Sequence, residues 1–184
     1  MNYFVLQVLT GEEQKFIKLA EYNLAAEHAD GLGQVQFIWP KRKLTIRRRG
    51  KLTEKITSIF PGYIFLQTEE LDPDVYWIVK KTSGFVRFMK NNREIEPIHG
   101  DDKKLLLHFL SFGEIVEKSR VWFDKDNVIR VTSGPMKGLE GRIIKVDRRK
   151  KRAKIKLSLY DESFKIDFGF EILEKVEDEK ERKE

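Results

Sequence analysis

Residues 128–147 read Val128-Ile-Arg-Val-Thr-Ser-Gly134-Pro-Met-Lys-Gly138-Leu-Glu-Gly141-Arg-Ile-Ile-Lys-Val146-Asp147. Two short β-like runs, Val128 to Val131 and Arg142 to Val146, flank a loop with glycines at 134, 138 and 141. Pro135 fixes its own φ, and glycine reaches φ values closed to other residues. A tight connection built from small residues is what the corner of a compact β-barrel needs.

Further toward the C-terminus the pattern stays β-like. Val128 to Thr132, Leu139 to Val146, Ala153 to Leu159, Ser163 to Phe168 and Glu171 to Val176 predict five short strands, the number that suits a small barrel over residues 122–176. Between Arg142 and Lys156 stand nine basic residues and one acid, a run denser than solubility requires. Lys137, Arg142, Arg148, Arg149, Lys150, Lys151, Arg152 and Lys154 are therefore the candidate residues for a nucleic-acid ligand. Such cations neutralise phosphates and release counterions, so binding should weaken steeply with salt. Phosphate contacts alone carry no sequence information, and the deep groove of A-form RNA is closed to side chains unless a bulge or loop opens it. An imperfect hairpin is thus the expected ligand over a plain duplex; the alternative is a solvated turn. Residues 177–184, five acids and three bases, are expected to be a disordered tail.

The N-terminal part reads differently. Tyr3 to Leu9 is an apolar strand, and Thr10-x-x-Glu13 is a capping-box pattern opening a helix over about 11–28, with Phe16, Ala20 and Leu24 on one stripe. A strand over Val35 to Trp39 follows. Residues 41–51 hold seven bases and no acid, with Gly50 at the tip of a hairpin whose arms are Leu44 to Arg48 and Lys51 to Thr57. Lys41, Arg42, Arg47, Arg48 and Arg49 are read as a basic finger near a nucleic-acid backbone, or else as a solvated loop. Pro61-Gly62 leads into the strand of Ile59 to Gln67; Asp72-Pro73 starts a helix over 73–82. Phe85 to Met89 and Glu94 to Ile98 are strands joined by a turn at Lys90 to Arg93, and Asp101 is expected to cap a helix over 102–112. Helices and strands interleave without a βαβ repeat, which predicts an α+β layer of helices on a mostly antiparallel sheet over 1–112. Residues 113–121 read as a linker.

Composition narrows the function classes. The net charge of +6 suits a polyanionic partner, and the absence of cysteine excludes disulfides and thiolate metal sites. His28, His99 and His108 share no metal-ligand spacing, and no Gly-Lys-Ser/Thr follows the glycines. No catalysis, cofactor or metal is expected. No apolar run is long enough for a membrane helix and no signal peptide is recognised, so a cytoplasmic monomer is expected.

Val-x-x-Gly-Pro-x-x-Gly-x-x-Gly-x-Ile resembles the KOW motif of small nucleic-acid- and protein-binding barrels. Together with the opening strand and Thr10-Gly11-Glu12-Glu13, the Phe60-Pro61-Gly62-Tyr63 element and the closing Ile166-Asp167-Phe168, it resembles the NusG family of transcription elongation factors, an NGN domain followed by a KOW domain. The resemblance covers 1–112 and 122–176. It implies RNA polymerase as partner of the NGN domain, with DNA near the polymerase cleft. The positions implied are Phe60, Pro61, Gly62 and Tyr63, with Tyr3 and the Tyr76-Trp77 pair as neighbours. The usual Phe-Gly-Arg-x-Thr-Pro stretch is replaced by Tyr160-Asp161-Glu162-Ser163, which puts the family's ribosome and Rho contacts in doubt. The basic loop resembles that of LoaP, an antiterminator that recognises an RNA hairpin. A general NusG, an RfaH-like paralogue and a ribosomal KOW protein stay open as alternatives.

Overall fold

In the computed structural model, residues 1–27, 35–89, 95–160 and 162–173 are described, with the backbone but not the side chain of Arg48. Their elements in order are β1 (Asn2–Val8), α1 (Glu13–Glu27), β2 (Gln36–Ile38), β3 (Lys41–Arg48), β4 (Lys51–Ser58), β5 (Tyr63–Thr68), α2 (Pro73–Lys81), β6 (Phe85–Phe88), α3 (Gly100–Leu110), β7 (Ile115–Val116), β8 (Ser119–Phe123), β9 (Ile129–Ser133), a 3-10 turn (Glu140–Arg142), β10 (Ile143–Asp147), β11 (Arg152–Leu159) and β12 (Glu162–Ile172). The chain forms two compact units interleaved in sequence: Met1–Lys41, Ser58–Ile115 and Ser158–Phe164 make the first; Arg42–Thr57, Val116–Leu157 and Lys165 onward make the second.

The first unit is built on the antiparallel sheet β2-β5-β1-β6. Successive side chains of a strand point to opposite faces, and here both faces are covered. Phe4, Leu6, Val8, Ile64 and Leu66 pack with Phe16 and Ala20 of α1 and Val75 and Val79 of α2. On the other face Phe65 meets Phe60, which meets Phe109 of α3, both edge to face. That is why β1 and β5 read as unbroken apolar runs rather than alternating ones. The helices-on-antiparallel-sheet architecture is the one expected.

Local chemistry sets the element ends. Asp72 Oδ1 accepts the Asp74 N–H at 2.8 Å, with Pro73 opening α2 as its fixed φ allows. The capping box at Thr10 does not close as predicted. Glu13 instead accepts the Gly11 N–H at 2.9 Å and the Gly62 N–H at 2.8 Å, so its carboxylate ties α1 to the Phe-Pro-Gly-Tyr turn. Asp101 is not the cap of α3: the helix starts at Gly100, and Asp101 pairs with Lys104 in its first turn. Of the strand expected at 94–98, the described residues 95–98 form only a bridge at Ile95, and Ile98 donates to Tyr3 O instead. Lys90 to Glu94, His28 and the 177–184 tail lie outside the described residues.

The second unit holds the sheet β10-β11-β12-β8-β9, in which β8 runs parallel to β12, and the hairpin β3–β4. Five strands form, as the small-barrel reading requires, but their identity differs. β8 (Ser119–Phe123) begins inside the segment read as linker, 113–121, because Ser119 and Val121 point inward and are fully buried. Residues 174–176 lie outside the described residues, and the strand expected at 163–168 and the start of the one expected at 171–176 are one strand, β12, through Gly169. A side chain there would lie 3.1 Å from Lys118 and 3.3 Å from Lys43 O, so this glycine admits a close neighbour rather than breaking the strand. Ala153, Ile155 and Leu157 of β11 alternate with the outward Arg152, Lys154 and Lys156.

Candidate nucleic-acid interface

The turn between β10 and β11 is a preorganised cationic tip. Asp147 Oδ1 accepts the Lys150 N–H at 2.9 Å, Lys151 N–H donates to Arg148 O, and Lys151 takes φ +51°. Arg149, Lys150 and Lys151 are exposed. Arg148 is engaged on the protein: its guanidinium lies 3.6 Å from the Phe123 ring centre and donates to Asn127 Oδ1 at 3.1 Å. Arg152 Nη2 donates to Thr45 O at 2.7 Å, while its buried Nε has no hydrogen-bond partner. Lys154 pairs with Asp167 at 3.4 Å. The eight predicted residues therefore do not act as one patch. Lys137 and Arg142 are exposed but belong to the glycine loop, at the far end of the five-residue β10 and about 17 Å from the tip along the strand.

The basic finger divides in the same way. Arg49 and Gly50 take φ +49° and +79°, a two-residue turn of the kind that matches hairpin twist. Arg47 and Arg49 are exposed there. At the base, Lys41 pairs with Glu114 at 2.6 Å and lies over Trp39. Arg42 is buried, donates to Asp167 O at 2.6 Å and faces Phe168. Burial brings its pKa down to about 10, with Asp167 opposing the shift and Arg152 adding to it. Arg42 thus holds the hairpin in place within its unit, and both Lys41 and Arg42 are removed from the cations open to a phosphate. Sequence reasoning missed Lys118, whose pairing with Glu54 at 2.7 Å anchors the hairpin; it stood in the presumed linker.

The polymerase-facing candidates also separate. Phe60 is core, and Gly62 and Tyr63 are buried; Pro61 is exposed. Tyr3 shares their sheet face, nine-tenths buried beneath Lys103. Tyr76 and Trp77 lie on α2, across the opposite face; Tyr76 stacks on Phe88, and Trp77 is half exposed beneath Lys80. The expected single aromatic patch is two places, because α2 packs on the face carrying Phe4, Leu6, Ile64 and Leu66, while Tyr3 and Tyr63, of the other parity, leave the sheet on the opposite side.

Within the first unit Tyr63 OH donates to the Glu162 carboxylate, which also pairs with Arg87 at 3.2 Å, and Phe164 packs edge-on to both Phe60 and Tyr63. Burial, then the Glu162 contact, push the Tyr63 phenol up to about 12. Burial and the charges of Asp102 and Glu96 do the same to Tyr160, also to about 12. The fold favours each neutral phenol. Their contribution is complete below the usual tyrosine value of about 10 and is lost as pH rises from there through about 12. An alkaline absorbance titration should show a late tyrosinate step that shrinks in Tyr63→Phe. A single step near 10 in the parent, from which the variant loses its amplitude, would contradict it.

Among the described residues no group of His, Cys, Asp and Glu could hold a metal, and no helix is long and apolar enough to cross a membrane.

Comparison with known proteins adds to this geometry. The family model described as transcription termination factor nusG matches residues 1–107, and the KOW motif matches 125–156. The transcription termination/antitermination protein NusG of Helicobacter pylori strain J99 is 24% identical over 178 residues, covering 96% of this chain and 99% of that protein. That of Neisseria meningitidis serogroup B is 25% identical over 179 residues, covering 95% and 98%. The solved structure "Domain interaction in Thermotoga maritima NusG" is similar in fold, with a TM-score of 0.61 at 16% identity over 91% of this chain and 93% of that one.

Proposed function

This chain belongs to the NusG family, and we propose that it acts as a transcription termination/antitermination factor, with the sheet-and-helix part on RNA polymerase and the basic barrel on nascent RNA. The observation that carries the RNA half of this reading is the β10–β11 tip, where three adjacent exposed cations stand on an internally bonded turn, Lys150 also lying 3.9 Å from the Asp147 carboxylate. Preorganisation matters because no backbone ordering is then charged against binding. Phosphate neutralisation supplies affinity, and an opened hairpin supplies the base edges that a closed A-form duplex withholds. The specialised, LoaP-like role follows if that hairpin is the preferred ligand. No chemical step is part of this function.

A second reading is the general factor. The near full-length match to proteins named for both termination and antitermination favours it. It predicts association with transcription complexes that does not depend on an RNA element.

The test is RNA binding by the full chain over a salt series, comparing an imperfect hairpin, a blunt duplex and a single strand. Because Arg148 and Arg152 also support the fold, Arg149→Gln/Lys150→Gln is the cleaner variant. It should weaken hairpin binding and lower the log–log salt slope by about 1.4 to 1.8, two phosphates' worth. Feeble, unselective binding that the variant leaves unchanged would remove the RNA-guided role and leave the general factor, to be tested by co-purification with polymerase.

A further inference from the structure

The β10–β11 tip does not stand alone in its unit. Arg152 bonds Thr45 O, Arg42 bonds Asp167 O and Lys118, just ahead of β8, pairs with Glu54, so hairpin β3–β4 is fastened to the rest of its unit at three points. Between them lies a groove of about 810 Å³. Arg47 and Leu52 line it from the hairpin, and Arg149, Lys150 and Lys151 from the tip. Six cations and two carboxylates border this groove, and one of those carboxylates, Glu54, is already paired with Lys118. Leu52 is two-thirds exposed beside these charges.

That combination has a specific counterpart. A single nucleic-acid strand carries regular negative charge along its backbone and presents flat apolar base faces, and proteins hold such strands with cationic grooves and aromatic stacking platforms; in this groove the one ring, Phe170, is fully buried, and exposed Leu52 offers an aliphatic face to a base instead. The groove has the volume of a small-ligand pocket, which accommodates a few nucleotides of one strand but cannot enclose a helix. We propose that this groove is a binding site for single-stranded nucleic acid, in which hairpin β3–β4 and the β10–β11 tip grip the same strand. The inference rests on the tip binding RNA as read above. It adds the hairpin as the second wall and makes an unpaired segment, rather than a stem, the part that is gripped.

The experiment measures binding of the full chain to a short unstructured RNA, the same sequence in DNA, and a blunt RNA duplex. Three variants are compared. Arg47→Gln and Arg149→Gln sit on opposite walls, and Arg49→Gln removes an exposed charge of the same hairpin that does not line the groove. Loss of one phosphate contact on a single strand lowers the salt slope by about 0.7, about fourfold in affinity near physiological salt. Arg47→Gln and Arg149→Gln should each show that loss on the single strand, and Arg49→Gln should stay close to the parent. Binding of either the RNA or the DNA strand with this pattern supports the groove. If Arg149→Gln weakens binding while Arg47→Gln behaves as Arg49→Gln does, the tip binds without the hairpin and the groove is overturned alone. If neither wall variant changes binding, the RNA reading of the tip falls with it. Duplex binding as tight as strand binding also overturns the proposal.

Discussion

Gly134→Ala is expected to destabilise the barrel-containing unit by about 4 kcal/mol, whereas Gly141→Ala should be neutral or slightly stabilising. Gly134 sits at φ +95°, where an L side chain costs about 1–3 kcal/mol. Its new Cβ would stand 2.7 Å from Ser119 Cα and 2.9 Å from Ser119 Oγ. Ser119 cannot retreat. It is fully buried, its Oγ accepts the Met136 N–H at 2.9 Å, and its strand is paired with β12 and β9 on either side. Forcing extra volume into such a site costs about 1–3 kcal/mol more. Gly138 also has positive φ but open space around it, so alanine there should cost only the conformational part. Gly141 has neither constraint, and alanine there mainly restricts the unfolded chain, a gain of up to about 1 kcal/mol. Thermal unfolding of the three variants should rank them 134, 138, 141, with the first lowered by about 8–16 °C at 2–4 °C per kcal/mol. A melting loss in Gly134→Ala no larger than that of Gly138→Ala would refute the close approach at Ser119, since Gly138→Ala carries the conformational cost alone.

Glu13→Ala should cost about 3 kcal/mol, and its effect should concentrate on the Pro61-Gly62 turn. The carboxylate is buried and accepts two backbone N–H groups, from Gly11 and from the buried Gly62. Hydrogen bonds to a charged acceptor are worth about 1.5–3 kcal/mol, and a buried donor left without a partner costs about 1–3 kcal/mol. Gly62 cannot shift to find another acceptor: its Cα lies so near Thr10 and Val8 O that even a Cβ would meet them at 2.7 and 3.3 Å. Glu13→Gln keeps one carbonyl acceptor and should lose about half as much. Hydrogen exchange at the Gly62 amide, set beside chemical denaturation, reads both effects. Unchanged protection of that amide in Glu13→Ala would refute the assignment.

The three glycines were visible as a loop signature, yet nothing in their spacing separates Gly134, pressed on Ser119, from Gly141 in open space. Thr10 and Glu13 were visible as a helix start, but the partner that occupies Glu13 is 49 residues away. Likewise, the basic residues of 41–51 and 142–156 were countable as charge. Only the packing shows that Arg42 is core, that Arg148 lies on Phe123, and that Arg47 and Arg149 border one groove.

The amino-acid order was sufficient for the α+β and barrel classes and for the family, because strand alternation, helix stripes and turn glycines are properties of neighbours along the chain. It was not sufficient for the domain partition: hairpin β3–β4 belongs with the barrel strands and residues 158–164 with the first unit. Nor did it separate anchoring cations from free ones. Both depend on hydrogen bonds and desolvation between residues far apart in sequence, and a charged side chain looks the same in a sequence whether water or Asp167 surrounds it.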